Sequence, residues 1–452
     1  MYRHFGEVDA AGVSPLYQHV AVALSESDEA LRAIEAAPAR KRHPTVILAA
    51  LHGLALAGRA PELAAAYAAA DGDAAAGAAI DTLLRMTDSV VAVAVRRQTR
   101  TDETGRCAVL YPAVAEAARR VGAKAVGLID VGCSAGLNLH VDRVGITYGN
   151  GQSLGDPSSP VQFSSSIVGD RAVPTRAVPE VVARVGVDRD PVDVTDADDA
   201  RWLRACLQPD RPEQVARLEA EMALAATDPP LLLQGDAVEV LPAAFARVPA
   251  DALPVVTTTW ALSRFPLESR LRFLHRLDEA AAGRTVAWVS VEGVGVAPTI
   301  PTLGDRRASG HSIIGLAVFD QSSLRAEALG RVRWVSAGPA APGTAPRRVV
   351  ASPEYAQYAG NAPPCDVPHL GVPPAVAGGA AGPALTHRTR PRPLLVAGAL
   401  DGVAGRFLRR VRRVAWPSRA PHSRPCARTR TAPGPQPLAP PHEEQRLSLF
   451  SA

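Results

Sequence analysis

Between Ala125 and Val291 short apolar runs alternate with longer segments of helical period, and this restricts the fold more than any other feature. The runs are Ala125–Asp130, Val181–Val187, Pro229–Gln234, Leu253–Thr259 and Thr285–Val291. Each is short, rich in Val, Leu or Thr, and bounded by Gly, Pro or Asp, as buried strands are. Asp198–Ala226, Val238–Val248 (interrupted by Pro242) and Arg270–Ala282 read as the helices between them. Parallel strands need crossovers of that length, so the expected class is α/β, with a mostly parallel sheet and helices on its faces. Two later runs, Ile313–Phe319 and Val332–Val335, flank an expected helix at Ser322–Leu329 and would add an antiparallel edge.

The flanks differ from this core. Met1–Lys124 reads as helical: Ser14-Pro15 is a cap followed by a first-turn proline, and Pro44–Ala57 is apolar nearly all round. His52, inside that helix, is expected to be a core histidine satisfied by a backbone carbonyl. Arg97–Tyr111 is a polar segment between apolar ones, where loops often carry ligand contacts. Tyr148–Ser166, dense in Gly, Pro and Ser, is expected to be irregular, with a short strand at Val161–Val168. Pro346 to the C-terminus holds 18 of the 40 prolines and 15 arginines against 5 acids. Such a composition buries too little to offset ordering entropy. The expected organisation is a helical region over 1–120, an α/β domain over 121–338 and a disordered tail over 339–452.

With that tail set aside, 34 cations face 40 acids, so the expected folded part is mildly acidic and no nucleic-acid surface is predicted there. The five cysteines are scattered without a CxxC pair, which suggests neither a disulfide framework nor a metal site. No leader pattern and no apolar run of membrane length is evident, so the expectation is a cytoplasmic protein without a membrane span.

The site signal lies at the first strand. Ala125–Leu139 reads AVGLIDVGCSAGLNL, a strand ending in Asp130 and a turn from Gly132 to Gly136. Glycines permit a sharp turn and close approach of a ligand to the backbone. Asp188 and Asp236 follow at the ends of the next two strands, so three acids stand at three successive carboxyl ends. The letters G-x-S-x-G also match a nucleophile elbow, with Ser134 followed in chain order by Asp236 or Glu292 and by His311. Against the elbow, everything upstream of the turn reads as helix. A fold that binds a nucleotide-like ligand without catalysis is a third reading.

IDVGCSAG, VGVD, QGDAVEVLP and VVTTTWALSRFP, in that order, resemble a Rossmann-like class I S-adenosylmethionine-dependent methyltransferase. More closely, SPLY (Ser14–Tyr17), RQT and GRC (within Arg97–Cys107), Ile129–Arg143, Gly155–Val161, Val185–Val194 and Trp288–Gly293 resemble the bacterial domain-of-unknown-function family 2332, over about Met1 to Gly330. The methyltransferase resemblance implies S-adenosylmethionine as cofactor and a small-molecule acceptor. Asp130, Gly132, Ser134 and Gly136 would line the methionine part, Asp188 would take the ribose and Asp236 the adenine side. Asp188 stands 52 residues beyond Gly136, so Tyr148–Val178 must loop out. His140, His311 and Tyr111 are the candidate general bases, with His140 expected on a helix surface. Thr257–Trp260 replaces the motif of nucleic-acid amino-methylases, which disfavours that substrate.

Overall fold

The computed structural model describes residues 1–100, 105–166, 173–307, 310–321, 323–332 and 448–449, all within one compact unit. The expected tail over 339–452 lies outside the described residues except for Ser448–Leu449.

The N-terminal region is helical: α1 (Tyr2–His4), α2 (Pro15–Glu26), α3 (Asp28–Glu35), α4 (Pro44–Leu56), α5 (Pro61–Ala68), α6 (Gly72–Arg85) and α7 (Thr87–Arg96). Ser14 caps α2 through its hydroxyl, which accepts the Tyr17 N–H at 3.1 Å. Helix α4 is buried nearly all round and forms the centre of this layer. Its His52 shares a proton with the Leu207 carbonyl at 3.1 Å, the core role expected of it, and burial pushes its pKa down to about 4. The next helix, α8 (Cys107–Val121), packs on the sheet instead.

The α/β part runs β1 (Ala125–Val131), β2 (Gly145–Tyr148), β3 (Ser153–Gly155), β4 (Gln162–Ser165), β5 (Glu180–Asp188), α9 (Ala197–Ala205), α10 (Pro212–Thr227), β6 (Leu231–Gln234), α11 (Ala237–Phe245), β7 (Leu253–Thr259), α12 (Leu267–Ala280), β8 (Val286–Gly293), β9 (Ser312–Asp320) and β10 (Ser323–Val332). The main sheet has the order β10-β9-β8-β7-β1-β5-β6, with Ser448–Leu449 paired beyond β10. From β8 to β6 every pairing is parallel, and β9 is antiparallel to both its neighbours. The chain moves outward from β1 to β5 and β6, then returns to the other side of β1 at β7. The carboxyl ends of β1 and β7 therefore flank a topological switch point, where open α/β sheets bind ligands.

Several local expectations are corrected. The expected helix at Ser322–Leu329 is strand β10, paired with β9 from Ser323 opposite Asp320 to Val332 opposite Ser312. Its Leu, Arg, Ala and Glu favour helix, but sheet pairing outweighs a propensity of a few tenths of a kcal/mol per residue. In the stretch read as mostly irregular the expected strand at Val161–Val168 is β4, and it belongs to a second sheet that was not expected, with β2 antiparallel to β3 and parallel to β4. That small sheet takes up part of the insertion between the glycine turn and Asp188. Asp198–Ala226 divides into α9 and α10 ahead of Pro212, and α11 runs through Pro242. The turn after β1 leads into a 3₁₀ segment, Leu137–Arg143, kinked at His140, where an α-helix was expected.

Candidate functional site

Gly132 and Gly136 adopt φ of +75° and +71°, values at which side chains are strained. A Cβ on Gly132 would stand 2.9 Å from the Ala261 Cβ, and one on Gly136 the same distance from Pro230 Cγ. The turn is thus wedged between the loops that follow β7 and precede β6. Ser134 is held at φ +52° without a glycine's freedom. The amide of Gly132 donates to the Val187 carbonyl at 2.8 Å, that of Ser134 to Asp188 Oδ2 at 3.0 Å, and that of Gly136 to the Cys133 carbonyl at 2.8 Å. These donors stitch the turn to β5 and to itself, and do not form the outward-facing nest that holds phosphate.

Asp130, at the base of the turn, is 1% exposed. Its Oδ1 accepts the Thr257 hydroxyl at 2.7 Å, while Oδ2 is buried without a hydrogen bond of normal geometry. Burial pushes its pKa up to about 6, and Thr257, the charge of Arg106 and the neighbouring Asn138 hold it from rising further. Arg106 itself donates to the Thr259 carbonyl and hydroxyl at 3.1 and 2.9 Å.

Asp188 joins the turn to the preceding loop. Its Oδ2 takes the Ser134 amide, and its Oδ1 takes the Asp190 amide at 3.0 Å and a longer contact of 3.5 Å from Arg100. Arg100 is buried and also bonds the carbonyl and the carboxylate of Asp190. Its segment is strapped down: Lys41 donates to the Arg97 carbonyl, Trp202 to the Gln98 carbonyl, and the Arg100 amide to the Cys206 sulfur. The polar Arg97–Tyr111 segment therefore reaches the carboxyl edge with two arginines; residues 101–104 lie outside the described residues.

Asp236 is placed differently. Its Oδ1 caps α11 through the Val238 amide at 3.0 Å, and its Oδ2 pairs with Arg189 at 2.6 Å, which lowers its pKa. Its side chain is 41% exposed, beyond the edge strand β6. The structure brings Asp130, the glycine turn and Asp188 together and leaves Asp236 on the rim.

A second buried carboxylate ends β8. Glu292 is 1% exposed; its Oε1 accepts the amides of Ala261 and Leu262, each at 3.0 Å, and its Oε2 has no hydrogen bond of normal geometry among the described residues. Burial pushes its pKa up to about 7 against those backbone donors and the charge of Arg106. It fastens the loop after β7, where Trp260 stands at φ +55° and Ala261 presses on Gly132. Of the candidate bases, Tyr111 is buried against the sheet and His311 immediately precedes β9. His140 is not on a helix surface: it is 1% exposed, with Nε2 2.9 Å from the Asp228 carbonyl. Among the described residues no group of three or more His, Cys, Asp or Glu is placed to hold a metal ion, and no single helix is long and apolar enough to cross a membrane.

The model of a family described as uncharacterized proteins conserved in bacteria, DUF2332, matches residues 1–335. The chain belongs to the DUF2332 family. Comparison with curated proteins gives no match. The DUF2332 match covers the helical layer, both sheets and every residue of the site, and stops near the end of β10. Within it, sequence reading missed Arg100, Arg106, Thr257 and Asp190. Their partners lie far away in the chain: Arg106 meets Thr259, 153 residues on, and no local pattern marks such a pair. For Glu292 a signal existed, since an ionisable side chain inside the apolar run WVSVEG needs a buried partner.

Proposed function

We propose that this DUF2332 protein binds S-adenosylmethionine at the carboxyl edge of β1 and β5 and transfers its methyl group to a small molecule. The observation that carries the reading is the charge pattern at the end of β1: the amides of Gly132, Ser134 and Gly136 are directed into the fold, and the buried Asp130 has an oxygen with no hydrogen bond of normal geometry among the described residues. Such a site repels phosphate and suits a cationic ligand. The group fits the residues present. Asp130 with Gly132, Ser134 and Gly136 would hold the amino-acid part, and Asp188, whose contact with Arg100 is its longest, would receive a ribose hydroxyl. Asp236 would reach the adenine side only by releasing Arg189. When bound, the cofactor supplies an electrophilic methyl carbon, and the protein's contribution is mainly positioning.

Calorimetry with S-adenosylmethionine and S-adenosylhomocysteine on the full chain tests this. Binding that weakens about tenfold or more in Asp130→Asn supports it; no heat at millimolar ligand removes it. Binding without turnover over a broad set of acceptors would favour a non-catalytic ligand-binding role. The positive φ of Ser134 favours one further reading, a serine hydrolase, because a nucleophile elbow is strained in the same way. The 3₁₀ segment after the turn and the engagement of the Ser134 amide by Asp188 weigh against it. Covalent labelling of Ser134 by a fluorophosphonate would reverse that judgement.

A further inference from the structure

Beside the glycine turn lies a cavity of about 20 Å³, lined by Arg106 and Cys107 at the start of α8, Cys133, Asn138 and His140 from the turn, and Glu221 of α10. That volume admits one water-sized group. The feature that distinguishes it is His140. The ring is buried, and its Nε2 lies 2.9 Å from the Asp228 carbonyl, which can only accept. Nε2 must therefore carry the proton, and in the neutral ring Nδ1 is a bare lone pair. Nδ1 is buried and has no hydrogen-bond partner among the described residues. A lone pair left unpaired in the interior costs on the order of 1–3 kcal/mol unless something completes it.

We propose that this cavity receives the hydroxyl or amine end of the methyl acceptor and that His140 Nδ1 takes its proton. The inference rests on the methyl-transfer reading for the reaction, and on geometry alone for the base and its pocket. The acceptor's oxygen or nitrogen forms its bond to the methyl carbon as the carbon–sulfur bond breaks with its electron pair on sulfur. The acceptor's proton passes to Nδ1, giving an imidazolium whose Nε2–H stays on Asp228. The sulfonium charge is thereby replaced by one on His140. Every charged or titratable group facing the ring bears on this. Burial lowers the His140 pKa, Arg184 and Arg143 lower it further, and the Asp228 carbonyl and Asp142 oppose them. Glu221, Arg106 and the two thiols are the other ionisable groups of the cavity wall. The Cys107 thiol, pushed well up by burial, stays protonated and does not compete as a base. The base is therefore in its neutral, competent form at neutral pH.

The test is nitrogen NMR of the full chain labelled at histidine, with methanol and methylamine as probes of the cavity. The expected result is an Nε2–H tautomer for His140, titrating below the ordinary value of about 6.5. Either probe should shift Nδ1 while the exposed rings of His19 and His275 stay put. An Nδ1–H tautomer, an Nδ1 signal that ignores both probes, or equal shifts at all three rings would overturn the proposal. In His140→Gln, whose amide can still donate to Asp228, S-adenosylhomocysteine affinity should stay within about threefold while turnover with any identified acceptor falls about 100-fold or more. Unchanged turnover overturns the base. If S-adenosylhomocysteine never binds yet the probes move Nδ1, the cofactor reading falls and the proton-accepting pocket stands.

Discussion

The middle of the carboxyl edge and its outer rim carry the same residue type in opposite states. At the centre, Asp130 and Glu292 are buried, each with one oxygen satisfied and one without a hydrogen bond of normal geometry among the described residues. At the rim, Asp236 has both oxygens engaged, in a helix cap and a surface ion pair, and remains half in water. In the sequence all three look alike, an acid closing a strand. The contrast shows that an acid's position at a strand end does not identify it as functional. What counts is whether the fold has already satisfied its oxygens, because only an unsatisfied buried group gains substantially from a ligand.

The largest effect expected is at Glu292. Glu292→Ala leaves the buried amides of Ala261 and Leu262 without an acceptor and should cost roughly 2–5 kcal/mol, read from the denaturant midpoint. A cost below about 1 kcal/mol would place Glu292 with Asp236, as a replaceable cap. Glu292→Gln keeps the acceptor and separates charge from hydrogen bonding. Because the folded pKa lies near 7, above the ordinary 4.5, the stability tied to this proton is complete at acid pH and is lost as pH rises from about 4.5 to 7. Replacing the carboxylate by an amide should remove that loss, a gain on the order of 3 kcal/mol at pH 8. A variant whose midpoint keeps the wild-type pH dependence would contradict the burial argument.

Asp130 comes next. Asp130→Asn should weaken S-adenosylhomocysteine binding about tenfold, or roughly 1.4 kcal/mol, and, since the folded pKa of about 6 lies above the ordinary 3.8, it should raise the thermal midpoint above that pH for the same reason as Glu292→Gln. In the wild type that affinity should fall as the solution is acidified through about pH 6, where the carboxylate takes up its proton. The smallest effect belongs to the rim: Asp236→Ala should cost about 1 kcal/mol of stability through the lost cap and leave affinity within about twofold. A tenfold loss of affinity there would extend the site to the edge strand and erase the contrast.

The parts of this architecture set by local chemistry were legible. The parallel strands β1, β5, β7 and β8 are marked by β-branched runs ending at Gly, Asp or Trp, and α2 by its Ser-Pro start. Strand β10 was not, because Leu324 and Ala328 stand four residues apart, a helical spacing, and the pairing with β9 that overrides it is tertiary. The small sheet was only partly legible, through the expected strand at Val161–Val168: its strands are three or four residues long, too short to show a period, and are held by each other and by Ile146, Leu154, Phe163 and Tyr148 packed into the core, the Tyr148 hydroxyl reaching the Ala108 carbonyl 40 residues back. In the site, the turn and Asp130 could be read locally. The burial of His140 could not, since the α-helical reading put it on a surface and the 3₁₀ kink turns it inward.

The cap of the first long helix has a consequence for biosynthesis. Ser14 donates its hydroxyl to Asp210 at 2.6 Å, and the Leu16 amide bonds the same carboxylate at 3.0 Å, across 196 and 194 residues. A ribosome adding about 5–20 residues per second delivers Asp210 some 10–40 s after Ser14. For that interval α2 is held only by its own serine cap and by its packing partners. The helical layer, made first, is therefore completed only after β1, the glycine turn and β5 have been translated.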